Sequence, residues 1–176
     1  MNGKQKQLKR EYEADPDSAI LQLFAKGDVD FQHLSFRIQH PSMDGDLGLH
    51  PASGGDGSFQ CPVEIMLAGW IGCFGVTLAA VARSMHLSIQ ACQMTASGLM
   101  DFKGTLAVDR SSPVGLTELK LVVEISSQEP EASIEKLLEL TKRYCVVHQT
   151  LESPPPMEVI LKWVASEGND LSTGPV

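Results

Sequence analysis

Apolar and polar positions along the chain follow three patterns: strand-like alternation, one amphipathic helical stripe, and one long run that is apolar on every side. The run, Pro62 to Arg83, constrains everything else. From Ile65 to Ala82 only Gly and Thr interrupt its apolar residues, and a helix so composed has no face to give to water. Pro62 suits the first helical position, and Glu64 the first turn, where the helix dipole favours an acid. The run is roughly long enough to cross a bilayer. Against a membrane span stand Gly69, Gly72 and Gly75, the lack of a basic flank, and a remainder that reads as an α+β domain. Glycine at every third position also bares part of the helix surface, so that another backbone can approach closely.

Around this helix the pattern predicts a mixed set of elements. Residues 1–17 are polar, a solvated lead-in or loosely packed helix closed by Asp15-Pro16-Asp17. Ser18 to Ala25 and Phe31 to Gln39 alternate as strands, with Lys26-Gly27-Asp28 as the turn between them. His40 to Gln60, rich in Gly, Pro, Asp and Ser, is predicted as a loop, long enough to imply function or partner contact. Beyond the central helix, Leu87 to Met100 and Thr105 to Val108 are predicted strands broken near Asp101 to Gly104. Pro113-Val114-Gly115 then turns into a third, Leu116 to Ser127.

The stripe lies in Ser133 to Tyr144, an amphipathic helix with Ser133 as its cap and Ile134, Leu137, Leu138 and Leu140 on its buried side. Cys145 to Leu151 begins a further helical turn, Pro154-Pro155-Pro156 stops it, and Met157 to Val164 reads as a last strand. The tail, residues 166–176, is polar and expected to be disordered. This order describes one α+β domain over residues 18–165, too small to cover a uniformly apolar helix on all sides. A second copy would cover it. The expected architecture is an obligate homodimer with the central helices packed together inside and sheets outside.

Charge narrows the partners. A net charge of -8 and a pI near 5 leave no basic surface to neutralise phosphates, so neither nucleic acid nor an anionic membrane is an expected partner. The N-terminus has no apolar core and no small-residue cleavage site, which makes the cytoplasm the expected address. Cys61, Cys73, Cys92 and Cys145 form no CxxC pair, so neither a zinc site nor a disulfide framework is suggested. His50 and Asp56 lack metal-ligand spacing, and no metal or cofactor is expected.

Cys73 lies among Met66, Leu67, Trp70 and Phe74, where desolvation alone would raise a thiol pKa and leave it inert. A reactive thiol there would need a hydrogen-bonding or cationic partner and a second thiol to resolve an oxidised intermediate. Cys145 is a candidate for the second. His148, three residues on, shares a helix face with it, either as a functional group or as a hydrogen-bonded packing residue. Cys92 reads as core, and Cys61 as a partly exposed thiol at the helix entrance.

The segment Cys61-Pro62-Val63-Glu64-Ile65-Met66-Leu67-Ala68-Gly69-Trp70-Ile71-Gly72-Cys73, followed by Tyr144-Cys145-Val146-Val147-His148-Gln149-Thr150-Leu151, resembles the OsmC/Ohr family of osmotically inducible and organic hydroperoxide resistance proteins. The resemblance covers residues 60–163 and implies an OsmC-like fold, an intertwined α+β homodimer, and a thiol peroxidase. Cys73 would attack an organic hydroperoxide and become a sulfenic acid, Cys145 would resolve it as a disulfide, and a small dithiol or a lipoylated protein would reduce that disulfide. Met66, Trp70 and Phe74 would favour alkyl or fatty-acid hydroperoxides.

Two positions depart from the family's peroxidase-proficient pattern. Val63 stands where an acid directly follows the proline, with Glu64 displaced by one, and no arginine matches a family motif; Arg37 is the nearest candidate. On one continuous helix Glu64 and Cys73 are half a revolution and roughly 13 Å apart, which leaves Glu64 a supporting acid without direct reach. The segment Leu49 to Ser58 is expected as a lid, a connector or a dimer contact. A non-catalytic dimer that binds an apolar small molecule, its cysteines vestigial or redox-sensing, is the alternative reading.

Overall fold

The computed structural model describes residues 3–20, 22, 25–30, 35–40 and 43–163. The chain opens with α1 (Gly3–Ala14) and a 3-10 turn, Pro16–Ala19. An antiparallel sheet of β1 (Lys26–Asp30), β2 (Ser35–His40) and β3 (Met43–Gly48) follows. Next come the central helix α2 (Pro62–Ser84), β4 (Ile89–Met100), the single-turn α3 (Phe102–Thr105), β5 (Leu116–Ser127), α4 (Glu131–Tyr144) and α5 (Val146–Glu152). β4 and β5 pair antiparallel along their length in a second, two-stranded sheet.

Several predicted elements need correction. Lys26-Gly27-Asp28 is not a turn; it lies inside β1, and the register aligns Val29 with Phe36 and Phe36 with Leu47 in one row of apolar residue types. Positions 18 and 19 belong to the 3-10 turn rather than a strand, while positions 21, 23, 24 and 31–34 lie outside the described residues. The expected loop from His40 contains β3, where buried Leu47 anchors the sheet edge and Gly48 N–H donates to the Gln60 carbonyl at 3.0 Å. A side chain at Gly48 would collide with Phe59, 2.8 Å from where its Cβ would stand. Thr105 to Val108 is no strand. The Asp101 carboxylate accepts the Lys103 N–H at 2.9 Å and starts the helical turn α3, after which Ala107 takes a positive φ of 55°. Pro130, not Ser133, is the N-cap of α4.

The core forms where α2 meets α4 and the sheet. Trp70, Phe74, Leu78 and Ala82, spaced by four, are the buried stripe of α2, as i, i+4 neighbours on one helix face must be. Leu78 and Ala82 pack with Leu137 of α4, and Met94, Val123 and Ile125 of the sheet lie against them. Leu137 is fully buried. Leu137→Ala is expected to destabilise the protein by about 2–5 kcal/mol, read as a lower midpoint at unchanged slope in urea unfolding.

The other faces of α2 are uncovered. Only 28% of its most apolar window is buried, Val76 is 74% exposed, and a Cβ added at Gly69 or Gly72 would meet nothing within 4 Å. Among the described residues α2 is the one helix long and apolar enough to cross a membrane, yet β4, α4 and α5 all pack on it. Residues 154–163, which include most of the predicted last strand, have no regular structure. Within them Met157, Val159, Leu161 and Trp163 are almost wholly exposed. Among the described residues no strand pairs with them. Position 164 and the expected disordered tail lie outside the described residues.

Candidate active site

Cys73 and Cys145, far apart in sequence, meet where α2 crosses the α4–α5 junction. Cys73 sits at the start of the fourth turn of α2, partly buried, and its carbonyl accepts the Thr77 hydroxyl at 2.8 Å. Cys145 is completely buried. Its extended backbone (φ -77°, ψ 109°) ends α4 and starts α5, with its N–H bonded to the Thr141 carbonyl and its own carbonyl accepting from Gln149 N–H, both at 2.9 Å.

Burial is the main force that raises the Cys145 thiol pKa, since low dielectric disfavours the thiolate. The His148 and Val147 N–H groups, directed at its sulfur from the first turn of α5 without closing a capping hydrogen bond, oppose that rise, while the neighbouring Cys73 thiol adds to it. The Cys73 thiol therefore stands close enough to act on the ionisation of Cys145, which remains protonated at neutral pH.

Aromatic rings wall the pair. Trp70 and Phe74, one turn apart on the same α2 face, receive the His148 imidazole between them: it stacks on Trp70 at 5.9 Å between centroids (17° interplanar) and meets Phe74 edge-on at 5.6 Å. Its Nε2 lies 3.9 Å from Glu152 Oε2. The Trp70 Nε1 and His148 Nδ1 atoms are both buried without a hydrogen-bond partner. The i, i+3 spacing placed His148 beside Cys145; its contact with Trp70 and Phe74 depends on two distant segments and was not legible.

The remaining expected site residues lie elsewhere. Glu64 is exposed in the first turn of α2 and lines a separate cavity of about 540 Å³ with Leu49, His50, Cys61 and Phe102. In one protomer it does not join the thiols. Arg37 donates to Asp46 across β2 and β3 at 2.7 Å, and Arg143 lies over the Tyr144 ring. Met66 is partly exposed, so Trp70 and Phe74 form the apolar wall. Cys92, expected in the core, is exposed on β4, while Cys61, expected to be partly open, is buried at the N-cap of α2. No group of three or more potential metal ligands occurs among the described residues.

The OsmC-like protein family matches residues 55–160, which hold α2, both cysteines and the second sheet. The chain belongs to the OsmC-like family. No curated protein matches it. Solved structures similar to it include an OsmC-like protein from Mycoplasma pneumoniae (19% identity over 76% of this chain and 89% of that one, TM-score 0.62). An organic hydroperoxide resistance protein OsmC from Legionella pneumophila is 17% identical over 77% and 92% of the two chains, with TM-score 0.57. The organic hydroperoxide resistance protein OhrB of Bacillus subtilis is 16% identical over 75% and 93%, with TM-score 0.54. At these identities the likeness establishes the α+β fold.

Proposed function

We propose that the protein is a thiol-dependent organic hydroperoxide reductase in which Cys73 is the nucleophile and Cys145 the resolving thiol. The observation that carries this reading is the meeting of the two thiols, from separate segments, against an aromatic wall. Cys73 attacks the terminal oxygen of ROOH, forming a sulfenic acid and releasing ROH. Cys145 then displaces water from that sulfur to form the disulfide. A dithiol, free or on a lipoylated protein, returns the pair to thiols by exchange. The apolar wall favours alkyl over hydrogen peroxide by burying the R group. Neither a metal nor a cofactor takes part in this scheme.

The working form is a cytoplasmic homodimer. The bare α2 surface around Gly69, Gly72 and Val76 and the uncovered segment 157–163 both present apolar area that one protomer leaves in water. Burying such area is the dominant favourable term in association. Glu64 acts as a supporting acid across this interface. The test of function is direct: one equivalent of an organic hydroperoxide should remove two of the four thiols and leave a Cys73–Cys145 disulfide in the peptide map.

One observation favours the second reading, a non-catalytic binder. The cavity beside Cys61 has the volume and the apolar lining, from Leu49, Leu67, Met100 and Phe102, of a small-molecule site. Under that reading both thiols survive the peroxide and an apolar metabolite co-purifies, visible by native mass spectrometry.

A further inference from the structure

We infer that His148 is the proton-transfer group of the thiol pair and that Trp70 Nε1–H is a hydrogen-bond donor to the reacting peroxide. This rests on the peroxidase reading of Cys73 and Cys145. Buried polar atoms are nearly always paired, and here two lie unpaired on rings stacked against each other beside the thiols. They are chemically complementary. An indole nitrogen can only donate. On the imidazole, the carboxylate of Glu152 faces Nε2 and favours the proton there, which leaves Nδ1 with a free lone pair. A donor and an acceptor on neighbouring rings of an apolar wall suit a hydroperoxide, which offers one O–H and two acceptor oxygens.

Among the described residues Glu64 lies on the opposite side of α2 from Cys73 and lines a separate cavity, and Arg37 and Arg143, engaged with Asp46 and the Tyr144 ring, stay charged and supply no base. Among the described residues, the titratable groups near His148 are Cys145 at the start of its own helix, whose neighbour is Cys73 of α2, and Glu152 one turn on. A thiol held in low dielectric needs its proton removed as it attacks.

The step then balances. His148 Nδ1 takes the Cys73 thiol proton as general base. The sulfur attacks the terminal peroxide oxygen, the S–O bond forms as the O–O bond breaks, and the electron pair leaves on the alkoxy oxygen. Trp70 Nε1–H stabilises that developing charge, and the imidazolium returns the proton to give ROH. Sulfur is oxidised by two electrons and the peroxide is reduced by two. Cys145 next attacks the sulfenic sulfur, and the hydroxyl departs as water with the Cys145 proton.

His148→Phe keeps a ring between Trp70 and Phe74 while removing the base. In stopped-flow oxidation by an organic hydroperoxide its second-order rate should fall by about a hundredfold or more, and the rate should lose its acidic limb. Iodoacetamide labelling of Cys73, followed by peptide mass spectrometry across the same pH range, reports the base without any peroxide and should slow in parallel. His148→Ala with imidazole added to the buffer should recover part of both rates, which a purely structural role would not allow; it also serves if the Phe variant misfolds. Trp70→Phe should slow the peroxide reaction but leave labelling unchanged. Labelling of Cys73 at wild-type rate and pH profile in His148→Phe, or no imidazole rescue in His148→Ala, overturns the inference. Failure of the wild-type protein to form the disulfide overturns the peroxidase reading instead, and the labelling profile still decides the role of His148.

Discussion

Cys73→Ser protein is expected to keep its three remaining thiols after one equivalent of organic hydroperoxide, whereas the wild-type protein should fall from four to two. The difference follows from which sulfur can meet a substrate. Cys145 is completely buried and its thiol pKa is raised by that burial, so it offers almost no thiolate to an incoming peroxide at neutral pH. Cys73 is only partly buried. Cys145→Ser separates the two roles, because the first step survives and the product changes. One thiol is lost per equivalent, no disulfide forms, and a sulfenic acid on Cys73 accumulates that dimedone traps. Equal thiol loss in wild type and Cys73→Ser would remove Cys73 from the mechanism. A disulfide-forming Cys145→Ser protein would do the same for the resolving thiol.

Val76→Asp is expected to break the dimer. In an isolated protomer this side chain is 74% exposed, and a surface substitution there should change stability by no more than about 0.5 kcal/mol. Beneath a second copy of α2 the same carboxylate would be buried unpaired, at a cost of several kcal/mol. Every 1.4 kcal/mol is about tenfold in dissociation constant, so association should weaken by at least a hundredfold. Sedimentation velocity over a concentration series reads this directly. A wild-type monomer, or a variant that dimerises as wild type does, would defeat the dimer reading.

The parts of the fold that could be read from sequence are those whose pattern reports their own packing. α2 announced itself by a run with no polar face, β5 by an alternating tendency over Leu116 to Ser127, and α4 by the stripe around Leu137. β1 and β3 did not. Segments such as Lys-Gly-Asp-Val-Asp and Met-Asp-Gly-Asp-Leu-Gly have little intrinsic strand character and become strands by pairing with β2. Thr105 to Val108 failed for a local reason, since the Asp101 side chain captures the Lys103 N–H and winds the chain into a turn. Met157 to Val164 looked like a strand because its composition suits one, but alternation cannot say which molecule supplies the partner. At the site, Cys73 and Cys145 were singled out by their surroundings and by family resemblance. The Trp70–His148–Phe74 stack depends on how α5 folds back over α2, which no local pattern encodes.

The backbone around Cys145 bears on how far the chain must move during any chemistry. Its amide proton completes the last turn of α4 and its carbonyl begins the first turn of α5, so the sulfur hangs from a hinge pinned at both ends. Swinging it outward would melt two helices at once. Under the peroxidase reading proposed above, a site with the second thiol already beside the first would have little to rearrange between encounter and closure, and its tempo would be set by arrival of the oxidant and by rescue from the reductant.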